Sequence, residues 1–269
     1  MEDWFHGIPI DPGVRARLPA RLERGVDVLL ELLSSRGIRA TFFVLGPIAE
    51  SAPGIVRRIA DAGHEIGCHG WSHDPLYTMD RERFAAETTR ATAAVGDCVG
   101  KRVESYRAAY FSITARSMWA LDVLAELGYK SDSSIFPIRN WRYGIPGYDP
   151  TPREILTPAG PIREFPISVR RILGRTIPVS GGAYFRLYPY WVTRMNVAAA
   201  ERQGRPVVFY LHPWELDPDH PRIDFRWRAR MTHYVNLRST RPKLERLLAD
   251  YAFTTLTEVL EDAIPRPRS

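Results

Sequence analysis

Cysteine is scarce: Cys68 and Cys98 are the only two in 269 residues. Two thiols can build neither a disulfide framework nor a four-thiolate zinc site. Cys68 alternates away from His69 on an expected strand, so it reads as a buried free thiol. No apolar run reaches the ~18 residues that span a bilayer. The opening MEDWFHGIPID lacks a charged-then-apolar leader, so the chain as written is expected to be cytoplasmic. Dense Lys/Arg runs with interleaved aromatics are also absent. Lys+Arg exceed Asp+Glu by 37 to 31, and the pI is ≈ 9.5. That excess favours anionic surfaces in a general way but does not point to nucleic acid. The densest basic group, Arg222 to Arg246, reads as a solvated face. Internal repeats, low-complexity linkers and a clear domain boundary are missing as well.

What is present suits a soluble globule, with 45% hydrophobic and 25% charged residues. The length fits one large α/β domain or two small ones; a single domain over 1–269 is expected. Leu22 to Arg36 places Leu22, Val26, Leu29, Leu30 and Leu33 at helical spacing, and Gly37 stops it. ATFFVLG (40–46) is short and wholly apolar, as in a buried parallel strand. A helix over Pro53 to Ala62 and a strand HEIGCH follow. Asp80 caps a helix to about Val95, with Phe84, Thr88, Ala91 and Val95 inward. Val103 to Arg107 is a strand, Thr114 caps a helix through Leu127, and Tyr129 to Ser133 is a strand. Such alternation predicts parallel βαβ units. The rhythm breaks at about 136–190, a Pro-rich and aromatic stretch expected as loops and short strands over a barrel mouth. A helix over Pro189 to Gln203, a buried strand PVVFYL (206–211), a polar loop over 214–236, two closing helices and a strand YAFTTL (251–256) complete the expectation.

The most informative stretch is GHEIGCHGWSHD. His69 and His73 lie four apart, and Gly67 and Gly70 exclude a helix there. The pair falls where a strand ends and a loop begins. Neutral imidazole offers a lone pair near pH 7, so two such rings suit a divalent metal such as zinc. A surface loop that merely contains two histidines competes with that reading on spacing alone. Other chemistry-bearing residues fall at the same kind of place. Arg107 and Tyr110 follow the strand at VESY, Asp132 follows GYK, and His212 follows VVFYL. Parallel α/β barrels build their active sites at that strand edge, which decides in favour of a site.

These residues carry a family resemblance. HGWSH, SYRAAYFSI, YKSDSSIFP and LHPWE, with DWFH near the start and GGAYFRLYPY at 181–190, resemble the polysaccharide deacetylases with a NodB homology domain. That family is also known as carbohydrate esterase family four. The branch most similar is that of exosortase-type exopolysaccharide loci. The resemblance covers nearly the whole chain. It implies a distorted (β/α) barrel that removes the acetyl group from an N-acetylated amino sugar of a polysaccharide. It also implies a divalent ion, zinc or another transition metal such as cobalt or nickel, held by one Asp and two His. Carried over by position, Asp3, His69 and His73 are the metal ligands and Glu2 the catalytic base. His212 is the general acid. Asp132 orients and charge-balances His212, Arg107 holds the base carboxylate, and the backbone near Tyr110 helps bind the oxyanion. Trp71, Trp141, Tyr184 and Trp214 suit stacking on sugar rings, with packing under a long loop as the alternative for each.

The start departs from the family pattern. Family members open with an apolar strand that leads into Asp-Val-Glu-Asp-Trp, whereas this sequence begins at Met1-Glu2-Asp3-Trp4. A first strand is therefore expected to be truncated. In one register Glu2 is the base and Asp3 the ligand, which is favoured here; in the other Glu2 is the ligand and the base is absent. Two further readings follow: a catalytically impaired polysaccharide-binding module, and an allantoinase-like C–N hydrolase on the same barrel.

Overall fold

The computed structural model describes residues 12–15, 17–140, 142–223 and 227–265. Glu2, Asp3 and Trp141 lie outside the described residues, so the roles expected of them stay expectations.

After α1 (Pro12–Arg15) comes α2 (Leu22–Ser34), whose buried Val26, Leu29, Leu32 and Leu33 recur at helical spacing. Gly37 closes it with φ 60°. Then follow β1 (Thr41–Val44), α3 (Gly46–Ser51), α4 (Pro53–Asp61) and β2 (Glu65–Cys68). Helix α5 (Arg81–Val99) starts where Asp80 accepts a hydrogen bond from the Arg83 amide at 2.8 Å, and it buries Phe84, Thr88, Ala91 and Val95 as expected. Next come β3 (Ser105–Tyr106), α6 (Trp119–Glu126) and β4 (Ser131–Asp132). Thr114 is not the cap of α6: its amide bonds the Ser117 hydroxyl in a turn, and the helix begins after Met118. The second part runs through β5 (Arg153–Thr157), β6 (Gly160–Glu164), β7 (Val169–Ile172) and β8 (Arg175–Pro178). It ends with α7 (Gly182–Leu187), α8 (Tyr190–Glu201), α9 (Trp227–Tyr234), α10 (Leu237–Asp250) and α11 (Leu256–Ala263). No helix among the described residues is long and apolar enough to cross a membrane.

One sheet has the order β1-β2-β3-β4-β6-β5, parallel except for β5 against β6. The α/β expectation holds, with one correction. The 136–190 stretch is not only a cover, because β6 extends the main sheet beside β4. Its buried Ile162 and Glu164 face that interior. The register places Val44, Cys68, Tyr106, Asp132 and Glu164 in one row across the sheet. His69 and Arg107 therefore sit side by side, one step beyond it. Cys68 is a buried free thiol, as expected, and so is Cys98.

The expected strands PVVFYL and YAFTTL do not form. A strand needs a ladder partner, and residues 206–211 bond elsewhere. The Val208 amide donates to the Ser168 hydroxyl at 2.9 Å, and the Tyr210 carbonyl accepts from the Gly182 amide at 3.0 Å. Between this segment and β1 lies a cavity of about 1000 Å3. It touches every residue from Thr41 to Val44 and from Val207 to Leu211. Successive strand side chains point to opposite faces, so a cavity meeting all of them runs along the backbone edges. Its far end opens at the C-terminal ends of β2 and β3.

Candidate active site

His69, His73, Arg107, Tyr110, His212 and Trp214 all line this one cavity. Six residues spread over 146 positions are brought together, His69, His73, Arg107 and Tyr110 just past the ends of β2 and β3, and His212 and Trp214 from the non-strand segment across the cavity.

His69 follows β2, and its amide donates to the Val44 carbonyl at 2.8 Å. Its Nδ1 lies 2.6 Å from the Arg107 carbonyl oxygen. A carbonyl only accepts, so Nδ1 carries the hydrogen and Nε2 keeps the lone pair, the tautomer a metal ligand needs. Burial pulls the His69 pKa down to about 3, and the ring is neutral at neutral pH. Gly70, at φ 81°, turns the chain, and His73 follows at φ 56°. The two imidazole centroids are 5.0 Å apart at 77°. Two rings bound to one tetrahedral ion through nitrogens at ~2.0–2.1 Å have centroids about 5 Å apart, so the pair fits a shared ion. No third His, Cys, Asp or Glu joins them among the described residues.

His73 packs edge-on against Tyr110, with centroids 4.9 Å apart. Tyr110 and Phe111 have φ of 56° and 53°, so three non-glycine residues in left-handed conformations border one site. Each stores on the order of 1–3 kcal/mol, and such strain gathers where geometry serves function.

The Arg107 guanidinium donates from Nε to the Ser133 carbonyl at 2.8 Å and from Nη2 to the Ser133 hydroxyl at 2.6 Å. It lies over the Phe43 ring at 4.4 Å. Burial lowers its pKa to about 10, which leaves it cationic at pH 7.

Asp132 is fully buried at the end of β4 and does not take the role of orienting His212. It accepts from the Ser134 hydroxyl at 2.6 Å and the Ser134 amide at 3.1 Å, and it lies in register beside Glu164 on β6. Burial raises both acids, Glu164 well above its ordinary value. Two adjacent buried carboxylates cannot both ionise, so they share a proton.

The carboxylate on His212 is Glu215. Pro213 opens a short 3-10 turn over Pro213–Leu216 that folds Glu215 back. Glu215 Oε1 lies 2.9 Å from His212 Nδ1 and accepts from the His212 amide at 2.9 Å. Its Oε2 accepts from Arg186 Nε at 2.7 Å, with both side chains nearly inaccessible. Burial pushes the Glu215 carboxyl up, but the bond to His212 and the charge of Arg186 outweigh it and hold the pKa at about 2. Sequence reasoning missed Glu215 and Arg186, although the i,i+3 spacing within LHPWE was a legible signal for the first.

The tryptophans divide. Trp214 lines the cavity and stacks with His212 and with His233, the latter at 4.1 Å and 18°. Trp71 does not line it. It lies under Arg90, 3.5 Å from the guanidinium, against Gly46, where an added Cβ would meet it at 2.3 Å. Its place is packing between α3 and α5, so the sugar-stacking expectation for it is not met.

A largely parallel sheet with helices on it and a histidine pair at its C-terminal edge defines the NodB type of distorted α/β barrel. Residues 18–131 match the polysaccharide deacetylase family. Residues 133–261 match a domain of unknown function (DUF3473). The chain is similar to a chitin deacetylase of Pestalotiopsis sp, 39% identical over 38% of this chain and 34% of that one. It is also similar to a peptidoglycan-N-acetylglucosamine deacetylase of Bacillus cereus, 32% identical over 41% of this chain and 42% of that one. The matches thus span less than half the length of these curated relatives. Among solved structures, a Mycobacterium smegmatis protein provisionally assigned as a polysaccharide deacetylase aligns with a TM-score of 0.66 at 21% identity. That alignment covers 96% of this chain and 88% of that one. The Puue allantoinase aligns with a TM-score of 0.60 at 16% identity, covering 94% and 75%. These likenesses show the fold.

Proposed function

We propose that the chain is a metal-dependent hydrolase that removes acetyl groups from an N-acetylated amino sugar of a polysaccharide, exopolysaccharide among them, releasing acetate. The observation that carries this reading is the histidine pair, 5.0 Å apart, sharing one cavity with His212. His69 and His73 would hold a divalent ion, with Asp3 as the third ligand implied by the resemblance. Such an ion supplies a polarised acetyl carbonyl and a bound water of pKa about 7.

The chain's own residues do the rest. A carboxylate, Glu2 by the resemblance, takes a proton from the attacking water. Arg107, cationic and clamped on Ser133, lends positive charge at the cavity wall. A backbone N–H near Tyr110 steadies the oxyanion. His212 gives its Nε2 proton to the amine nitrogen as the C–N bond breaks. Acetate carries away the water's oxygen, and the sugar keeps a free amine. Trp214 offers an apolar face to a sugar ring.

The test is acetate release from N-acetylglucosamine oligomers with added zinc, alongside metal analysis. About one divalent ion per chain is expected, lost in the His69→Ala, His73→Ala double variant. His212→Ala is expected to lower kcat by roughly 10²–10⁴-fold with metal content unchanged. Metal retained by the double variant would refute the ligand assignment. Glycan binding without acetate release would select the binding-module reading.

A further inference from the structure

The acid that the resemblance assigns to His212 is engaged elsewhere, on the Ser134 hydroxyl and amide beside Glu164. A different pair stands behind the imidazole. Glu215 Oε1 meets His212 Nδ1 at 2.9 Å, and Arg186 Nε meets Glu215 Oε2 at 2.7 Å. Arg186 is the largest fully buried side chain among the described residues, 2% exposed. Its other nitrogens donate to main-chain carbonyls: Nη1 to His233 at 2.8 Å and Val235 at 3.0 Å, Nη2 to Thr232 at 3.0 Å. Its own carbonyl accepts from Asn236 Nδ2 and Lys243 Nζ, both at 3.0 Å. The guanidinium also lies 5.1 Å from the centre of the Trp214 ring. Four acceptors thus hold this guanidinium, as a buried cation requires partners for its donors.

We propose that Arg186 and Glu215 are positioning residues: Arg186 fixes the Glu215 carboxylate, and Glu215 fixes the His212 imidazole with Nδ1 protonated. That leaves Nε2 as the ring nitrogen that exchanges a proton with substrate. The catalytic consequence rests on the deacetylase reading above, while the geometry does not. Arg186 comes from α7 and Glu215 from the turn after residue 211, so the 133–261 segment completes the acid at a site whose histidine pair belongs to 18–131. The rigid planar fork matters here, because an ammonium cannot make the same set of bonds.

Two measurements separate this proposal from the deacetylase reading. The first is the 15N spectrum of histidine-labelled, zinc-loaded protein, His212 being assigned by its loss in His212→Gln. The neutral ring is expected as the Nδ1–H form in the wild type and in Glu215→Asp. In Glu215→Ala that preference is expected to disappear. The second is kinetics on N-acetylglucosamine oligomers. Glu215→Gln and Arg186→Lys are expected to lower kcat by about 10–100-fold, the range for lost orienting partners, with KM within about threefold. Glu215→Asp is expected to recover part of that loss. Far-UV circular dichroism identifies any variant that does not fold, and Glu215→Asp then carries the comparison. A wild-type His212 ring in the Nε2–H form overturns the proposal, as does kcat unchanged within twofold in folded Glu215→Gln. Wild-type protein that shows the Nδ1–H form but releases no acetate refutes the deacetylase reading and leaves the positioning pair standing.

Discussion

Acidification should unfold this protein earlier than its carboxylates alone require. His220 and His233 are buried, 3% and 7% exposed, beside Trp214. Burial lowers the His220 pKa to about 4 and the His233 pKa to about 3. Both are neutral in the folded chain, but in the unfolded chain they take up protons near the ordinary 6.5. Below that value the unfolded state binds more protons, so stability falls as pH falls. Buried His64 and His69 add in the same direction. Glu164 acts in the opposite direction, because burial raises its pKa well above the ordinary carboxylate value. His220 and His233 alone account for about two protons, or roughly 2.7 kcal/mol per pH unit between about pH 6 and 5. Against a typical total of about 5–15 kcal/mol, that is a large fraction. The assay is urea unfolding at pH 7.5, 6.0 and 5.0, with chelator present throughout so that metal release does not contribute. The midpoint should drop steeply between the last two values. His220→Asn should reduce that slope by about one proton, ~1.4 kcal/mol per unit. A midpoint flat from pH 7.5 to 5.0 would show that these rings are not held neutral, and the reasoning would fall.

Other substitutions probe how the site is built. Gly25→Ala puts a Cβ 2.2 Å from the Pro213 carbonyl oxygen. The ~1 kcal/mol gained in helix propensity cannot offset that clash, so both the melting temperature and kcat should fall as the turn holding His212 shifts; an unchanged kcat would show that this contact does not position the turn. Phe84→Ala should cost about 3–5 kcal/mol in urea unfolding, since Phe84 is 2% exposed and packs edge-on against Tyr106 and Trp119. Phe42→Ala should cost distinctly less, because Phe42 borders the cavity and lacks partner atoms on that side; equal losses would contradict the cavity.

Much of the fold could be read in the sequence, because it rests on local periodicity. The helical stripe of Leu22 to Leu33, the apolar run at 41–44 and the Asp80 cap each decide their own conformation within a few residues. His69, His73 and His212 could be found for a similar reason: each sits where an apolar run stops, and the first two lie at the C-terminal edge of the parallel sheet while His212 reaches the same cavity from a segment that joins no sheet. Local pattern says nothing of which partner a segment finds. PVVFYL is apolar enough for a strand, yet its Val208 amide donates to Ser168 and its Tyr210 carbonyl accepts from Gly182, and β6 joins the sheet from a stretch that looked like cover. The acid of His212 was decided in the same way. Asp132 and Glu215 are equally acidic in sequence, but the register sets Asp132 beside Glu164 with a shared proton. The proline-initiated turn and Arg186, 29 residues upstream, keep Glu215 ionised against the imidazole. A carboxylate's role follows from which charges surround it once water is excluded, and only the tertiary structure fixes that.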